Sequence, residues 1–170
     1  LRFTCGAPRS AQAIGDGTRA LFLRSDGPED TVTSLWMSWF DDAGQHHETL
    51  IADPRVLLGS NADSENVPAE ERARRERARE GGSGIVSYSV DETGSRVVFT
   101  LNGRLFLAEL GNVCSADSAD NAGDGKASVR ELCAGRLSVE AGTAPVLNPR
   151  ISPDGEHVLY TTGERLQLVS

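Results

Sequence analysis

A short run crowded with arginine could bind the backbone of a peptide. It extends from Pro68 to Glu80, carries five arginines and four glutamates, and is followed by Gly81-Gly82. Proline near the start, glutamates in the first turn, arginines towards the end and glycine after it follow the boundary and dipole preferences of helices. A guanidinium offers permanently charged donors in a fixed plane, which suit a carbonyl or carboxylate oxygen. Residues 68–80 therefore predict a short helix that could clamp a ligand.

The same run has a plainer interpretation as a solvated helix. Glu70–Arg74 and Glu71–Arg75 have the i,i+4 spacing of favourable ion pairs. The few apolar residues in the run are alanines, so the helix has almost no face to bury. The near balance of charges leaves little to neutralise phosphates, and the whole chain has a net charge of −8, opposite to the usual bias of nucleic-acid-binding domains.

Histidines and cysteines give weaker signals. His46 and His47 sit beside a turn without a completing ligand pattern, and His157 falls on a strand; exposed histidines are expected at all three positions. The cysteines Cys5, Cys114 and Cys133 lack the close spacing of a zinc knuckle. Cys114 and Cys133 flank a polar loop and could form a disulfide in an oxidising compartment, but because the chain is not cysteine-dense we expect reduced thiols and a cytoplasmic location. No metal or other cofactor is expected.

The predicted strands on which these residues would be carried follow a pattern that recurs along the chain. Gly17, Gly94 and Gly155 are each followed, five residues on, by an aromatic that closes a short apolar strand. After Gly94 and Gly155 a further apolar triplet begins eleven residues on, and after Gly17 one follows a longer loop. Asp16, Asp91 and Asp154 precede these glycines as turn formers. Recurring units of strand, turn, strand, turn, strand predict propeller blades.

Local patterns place the other strands. Val32–Phe40 and His47–Ile51 predict strands, Asn102-Gly103 predicts a tight hairpin, and Ser128–Leu132 predicts a fourth strand of the second unit. Residues 53–55 predict a loop. The aromatic residues expected in the core are Phe22, Trp36, Trp39, Phe99, Phe106 and Tyr160.

The predicted fold is all-β: a partial, unclosed β-propeller of about three blades, with a short arginine-rich helix inserted near the second blade. The units cover about residues 9–52, 84–134 and 146–170, and the insert covers residues 68–80. Three blades cannot close a ring, so we expect the N-terminal part of a larger propeller. No run approaches the roughly 18 apolar residues needed for a membrane span.

The insert carries a resemblance to a known family. The run from Glu70 to Arg79, soon followed by Gly84-Ile85-Val86-Ser87-Tyr88, resembles the propeller domain of dipeptidyl peptidase IV-like members of the prolyl oligopeptidase family of serine peptidases. The opening Phe3–Arg9 and the segment Asp53–Leu58 are similar to actinobacterial-type members. The resemblance covers essentially the whole chain, and the helix with its following strand is its most diagnostic part.

This resemblance implies a function for the parent protein. In the family, a propeller caps an α/β-hydrolase domain whose Ser-His-Asp triad releases dipeptides, usually Xaa-Pro or Xaa-Ala, from a free N-terminus. An arginine of the inserted helix contacts a substrate carbonyl, and the matching candidates here are Arg75, Arg77 and Arg79. The implied partners are a peptide substrate and the hydrolase domain of the same chain, with a homodimer of the parent as one allowed assembly and no nucleic acid or membrane.

The hydrolase domain itself is absent from this sequence. The nearest approach to a Gly-x-Ser-x-Gly elbow, Gly81–Ile85, lacks the last glycine and follows a predicted helix instead of a strand. These 170 residues are therefore not expected to hydrolyse peptides alone. The alternative from another functional class is a non-catalytic propeller that serves as a scaffold for protein interactions.

Overall fold

Antiparallel strands account for nearly all of the regular secondary structure in the described chain. The computed structural model describes residues 6–59, 73, 83–111, 127–132, 145–162 and 165–170. Within these ranges the chain forms three antiparallel sheets and contains very little helix. The expectation of an all-β fold is confirmed.

Each sheet is a meander in which strands adjacent in sequence are adjacent in space. The first sheet contains β1 Arg9–Ile14, β2 Arg19–Arg24, β3 Val32–Phe40 and β4 His46–Ala52. The second contains β6 Tyr88–Val90, β7 Arg96–Leu101, β8 Arg104–Glu109 and β9 Ser128–Leu132. The third contains β10 Val146–Ile151, β11 Val158–Thr162 and β12 Arg165–Val169. The expected strands of each unit are thus present, with β3 and β9 at the predicted bounds.

The second sheet is apolar on both faces and lies between the other two. Its residues Val97, Phe99, Leu101, Phe106 and Ala108 share a core with the first sheet's Leu21, Leu23, Leu35, Met37 and Trp39. Its residues Val98, Leu105 and Leu107 share a second core with Val146, Ile151, Val158 and Tyr160 of the third sheet. Because side chains alternate between the faces of a strand, a strand buried at every position needs a partner on each side. The three sheets therefore stack face to face in chain order.

Aspartates form the turns that open each unit, as predicted. The carboxylate of Asp16 accepts hydrogen bonds from the backbone and the hydroxyl of Thr18. Asp91 accepts hydrogen bonds from the backbone N–H groups of Ser95 and Arg96. Asp154 accepts one from the N–H of Glu156. Each carboxylate replaces a missing backbone acceptor inside its own turn.

These turns lie side by side at one end of the stacked sheets and bind one another. The N–H of Glu92 donates to the carbonyl of Pro153 at 3.0 Å, and the guanidinium of Arg96 donates to the carbonyl of Gly155 at 2.9 Å. The turns of the first two sheets approach so closely that a Cβ at Gly94 would lie 2.8 Å from the backbone nitrogen of Gly15. The turns therefore fix the relative position of neighbouring sheets.

Tyr88 ties the second sheet to the first. Its hydroxyl lies 2.5 Å from the carbonyl oxygen of Ser10 and 2.9 Å from that of Leu21. Ser10 has a φ of 53° within a bulge of β1, which interrupts the pairing with β2. Desolvation raises the pKa of Tyr88 to about 12. A deprotonated Tyr88 could not donate to either carbonyl.

The segment that leaves the first sheet returns to the same sheet. After β4, Asp53 caps a short helix, α1 Pro54–Leu58, by accepting a hydrogen bond from the N–H of Arg55 at 2.9 Å. The chain re-enters as β5 Ser83–Gly84, which pairs in parallel with the start of β3. The predicted loop at residues 53–55 is therefore wrong, because the Asp-Pro pair begins a helix instead of a turn.

Two of the expected core aromatics lie outside both cores. Trp39, Phe99, Phe106 and Tyr160 belong to the clusters between sheets, as predicted. Phe22 and Trp36 instead form a cross-strand pair on the face of the first sheet that is turned away from the second. The aromatic spacing is correct, but no preceding sheet packs against these two residues among the described ones.

We expect Tyr88→Phe to destabilise the chain at neutral pH by about 1–2 kcal/mol, because the one hydroxyl proton shared by the carbonyls of Ser10 and Leu21 is lost. The pKa of Tyr88 is higher in the folded chain than its ordinary value near 10, so its stabilising contribution is complete below about pH 10 and is lost as the pH rises through about 12. Urea unfolding at a series of pH values should show wild type losing its advantage over Tyr88→Phe across that window. A constant difference up to pH 12 would contradict this role.

Gly84→Ala tests the return of the chain to the first sheet. Gly84 has a φ of +88°, and an added Cβ would lie 2.4 Å from the carbonyl oxygen of Thr33. Gly17 is a matched control because its φ is +89° and nothing lies within 4 Å of an added Cβ. Both substitutions introduce strain of about 1–2 kcal/mol, but Gly84→Ala must also displace backbone. Thermal unfolding should show a clearly larger loss of stability for Gly84→Ala than for Gly17→Ala. Equal losses would show that β5 can move away from β3 at little cost in free energy.

Candidate functional site

The predicted clamp residues lie outside the described part of the chain. Arg75, Arg77 and Arg79 all fall within the range 74–82, for which no placement is described. In the predicted helix the structure describes Ala73, which is helical and exposed. The choice among the three arginines therefore stays a prediction. The described residues that flank the range 60–82 form a candidate site of their own.

The described residues on either side of the range 60–82 lie at one end of the first sheet. The N–H of Ser83 donates to the carbonyl of Thr31 at 2.8 Å, and the N–H of Ile85 donates to that of Thr33 at 2.9 Å. On the outgoing side, Pro54 is buried, and its ring lies 3.2 Å from the position that a Cβ of Gly84 would take. In an antiparallel meander this end carries the β2–β3 loop and lies opposite the aspartate turns.

A cleft of about 490 Å³ opens at this same end. Its lining combines one cation, one carboxylate, one hydroxyl, an indole ring and the backbone of two glycines: Gly6, Arg24, Ser25, Asp26, Gly27, Pro28 and Trp36. The size falls within the range usual for small-ligand sites, and the mixture of donors and acceptors is suited to a polar segment such as a peptide.

Arg24 is the central charge of the cleft. Its guanidinium carbon lies 4.5 Å from the centre of the Trp36 ring and 5.3 Å from that of Phe22, both within the range of cation–π contacts. It also pairs with the carboxylate of Glu48 at 2.8 Å. These contacts hold the planar group in one orientation and leave further N–H donors for a ligand oxygen.

The indole N–H of Trp36 is buried and has no hydrogen-bond partner among the described residues. A buried polar atom without a partner costs free energy unless something supplies an acceptor. Trp36 also lines the cleft, so this donor without a partner belongs to a residue of the candidate site. The second tryptophan differs, since the N–H of Trp39 donates to Thr49 at 3.1 Å.

Two acidic residues connect the rim of the cleft to the helix α1. Arg55 of α1 donates to Asp30 at 2.7 Å and lies 3.6 Å from the carboxylate of Asp26. Burial would raise the pKa of Asp30, but the hydrogen bonds from the N–H of Val32 and from Arg55 outweigh it and lower the pKa below its usual range. The carboxylate of Asp30 therefore remains charged and holds α1 against the β2–β3 loop.

The cleft was not found from the sequence. Its charged and aromatic members come from two strands and a loop, and no local motif joins Arg24 to Trp36. A correct prediction of the register between β2 and β3 could have revealed the cleft. That register pairs Phe22 with Trp36 and so places Arg24 next to the indole ring on the same face.

The paired histidines lie on a strand and not in a loop. His46 begins β4, is exposed, and lies 2.7 Å from the hydroxyl of Ser38. His47 is half-buried, stacks on Trp39 with ring centres 4.5 Å apart and contacts Asp41 at 2.9 Å. The hydrogen bond from His47 is the main reason that the pKa of Asp41 is lowered. The expectation of exposed histidines is correct for His46 and wrong for His47.

Neither histidine completes a nucleophilic site in the part of the chain that is described. Ser38 and His46 have the distance of a nucleophile and its base, but Asp41 contacts the other histidine, His47. A hydrolytic triad needs one histidine that contacts both the serine and the acid. Both are diagonal contacts at the β3–β4 hairpin, where the register pairs Ser38 with Glu48 and His46 with Phe40.

His157 is exposed, as expected, and stands directly before β11 instead of within a strand. Its ligand atoms and those of Asp154 and Glu156 lie within 4.8 Å of one another. All three residues are exposed, and the carboxylate of Asp154 already accepts hydrogen bonds from Ser152 and from the N–H of Glu156. The hydrogen bonds of the turn therefore explain why these three side chains lie close together. Cys5, Cys114 and Cys133 lie outside the described residues.

Comparisons with known proteins leave the family open. No family model matches the chain, and no curated protein matches it. A hypothetical selenium-binding protein from Sulfolobus tokodaii has a similar structure, with a TM-score of 0.49 and 15% identity over 90% of this chain and 32% of its own. Hydrazine synthase from Kuenenia stuttgartiensis gives a TM-score of 0.45 and 10% identity over 95% of this chain and 44% of its own.

At TM-scores below 0.5 these similarities assign neither a fold nor a function. The chain spans less than half of the length of either structure. Within the described residues, no helix is both long and apolar enough to cross a membrane.

Proposed function

We propose that the three sheets are consecutive blades of a β-propeller, formed by residues 9–52, 84–134 and 146–170. The support is the way in which successive sheets pack. The second sheet buries one face against the first sheet and the other face against the third sheet, and the first and third sheets each bury the face that is turned towards the second. A two-layer sandwich buries only one face of each sheet. Radial repetition of small antiparallel sheets is the arrangement that buries both.

Repetition of irregular features supports the same proposal. β1 and β10 each contain a bulge, and in each the residue with positive φ, Ser10 or Asn148, stands seven residues before the turn glycine. Bulges are specific local features that chance alignment of two sheets would not reproduce. The first and third sheets are therefore copies of one structural unit.

We further propose that this segment belongs to a serine exopeptidase that releases N-terminal dipeptides of the Xaa-Pro or Xaa-Ala type. The observation that carries the proposal is the position of the insert. In the sequence, the residues resembling the dipeptidyl peptidase IV-like helix fall between α1 and β5, and the described residues on either side of the range 60–82 lie beside the cleft. A helix held there would stand over the end of the blades where a polar ligand can enter.

In this proposal the propeller segment orients the substrate and another domain performs the reaction. The parent's serine attacks the scissile carbonyl and its histidine acts as the base. One of Arg75, Arg77 and Arg79 donates hydrogen bonds to a substrate carbonyl and so holds the peptide in register with the serine. The partners are a peptide with a free N-terminus and the α/β-hydrolase domain of the same chain, in a cytoplasmic enzyme without a cofactor.

Alanine substitution of Arg75, Arg77 and Arg79, one at a time in the intact parent, tests the clamp. One variant should lower kcat/KM for release of an N-terminal Xaa-Pro dipeptide by about 10- to 100-fold, because a hydrogen bond from a charged donor contributes about 1.5–3 kcal/mol. Arg72→Ala and Arg74→Ala are matched controls from the same run and should retain near-normal activity.

Near-normal activity in all three variants would remove the clamp assignment. The peptidase proposal has its own test: the reading frame of the parent should encode a Gly-x-Ser-x-Gly elbow after the propeller. A reading frame that ends after further blades would instead favour the alternative, a non-catalytic scaffold for protein interactions.

A further inference from the structure

The turn between β7 and β8 carries a reactive pair of residues. Asn102-Gly103 is the one Asn-Gly pair in the sequence. In such a pair the backbone nitrogen of the glycine can attack the side-chain carbonyl carbon of the asparagine, because the glycine has no Cβ to shield its nitrogen. The carbon–nitrogen bond of the side-chain amide breaks, ammonia leaves, and a five-membered succinimide ring forms. The tip of this hairpin is therefore a candidate site of deamidation.

Water completes the reaction by opening the succinimide at either of its two carbonyls. Opening at the carbonyl that came from the side chain gives aspartate. Opening at the carbonyl that came from the main chain gives isoaspartate, in which the chain runs through the former side chain and gains one methylene. Both products replace a neutral amide by a carboxylate, and water is the only co-reactant.

The closed hairpin holds the two reacting atoms apart. Asn102 has a φ of 50° and Gly103 a φ of 76°, and the flanking residues Leu101 and Arg104 pair with each other. This is a two-residue type I′ turn. The first residue of such a turn has a ψ of about +30°, which places the nitrogen of Gly103 on the opposite side of the Cα–C bond from the Cβ of Asn102. The ring needs both on the same side, so it cannot close until the turn opens.

The third sheet keeps this turn closed. The carbonyl of Gly103 accepts a hydrogen bond from the N–H of Val146 at 2.9 Å. Val146 and Leu105, the second residue of β8, are each 2% exposed and belong to the core between the second and third sheets. A backbone rotation at Asn102 therefore moves a carbonyl that joins the two sheets. An extra methylene in the turn would move the same carbonyl permanently.

We propose that Asn102 is a site of spontaneous deamidation, that packing of the third sheet on the second protects it, and that its isoaspartyl product weakens this packing. Asn148 provides an internal comparison. It has the same φ of 50°, but Pro149 follows it. The proline nitrogen carries no hydrogen and cannot form the neutral succinimide. The inference uses contacts within the chain and does not depend on a peptidase parent.

Peptide mapping by mass spectrometry of the 170-residue chain, aged in mildly alkaline buffer with and without urea, tests the protection. Conversion of Asn102 should be about 10-fold or more slower in the folded chain, because opening must precede the reaction. Asn148 should stay intact in both conditions. Val146→Ala should accelerate conversion of Asn102 in the folded chain. Val97→Ala, an equal truncation in the core shared with the first sheet, is the matched control and should accelerate it less.

Hydrogen exchange at the N–H of Val146 tests the effect of the product. The isoaspartyl form can be separated by ion exchange because it carries an added negative charge. Asn102→Asp is its matched control, since it has the same charge and an unaltered backbone. Exchange at Val146 should be about 10-fold or more faster in the isoaspartyl form than in Asn102→Asp. Equal exchange in the two forms would overturn the proposed effect on packing, and equal conversion rates in folded and unfolded chains would overturn the protection.

Discussion

The rest of the structure depends on burying both faces of the second sheet. Four of the six residues in β8 and five of the six in β7 are buried, and they point to the two sides in turn. Such a sheet cannot stand at a surface, because exposing either row of apolar side chains would cost about 25 cal/mol for each Å². The first and third sheets therefore pack on the two faces of the second sheet and shield both from water.

Apolar burial alone would not fix how the sheets are aligned, since it is non-directional. Directional contacts do so at both ends of the stack. Arg96 and the N–H of Glu92 join the turns at one end, and the N–H of Val146 donates to the carbonyl of Gly103 at the other. Tyr88 adds a contact across the first interface, where it bonds the carbonyl exposed by the bulge at Ser10. The bulge is thus part of the contact between sheets and not a defect in one of them.

The sequence predicted what is encoded locally and missed what depends on partners far along the chain. Val32–Phe40, the Asn102-Gly103 hairpin and the aspartate turns follow from alternation and turn chemistry within a few residues. Tyr88 contacts a residue 78 positions earlier, and the cleft joins Arg24 to Trp36 through strand register. The helix α1 is too short for periodicity to show. The role of the arginines comes from resemblance, and no described contact bears on it.

The two ends of the sheets differ in what their connections can tolerate. At one end the aspartate turns are packed so closely that Gly94 has no room for a side chain, so variation there would separate the sheets. At the other end, the described residues that flank the range 60–82 are held by the first sheet, because β5 pairs with β3 and the N–H groups of Ser83 and Ile85 donate to the carbonyls of Thr31 and Thr33. An insertion between α1 and β5 therefore begins and ends beside the first sheet, away from the contacts between the aspartate turns. The cleft lies at this same end, and binding residues commonly reside on such connections of a rigid scaffold.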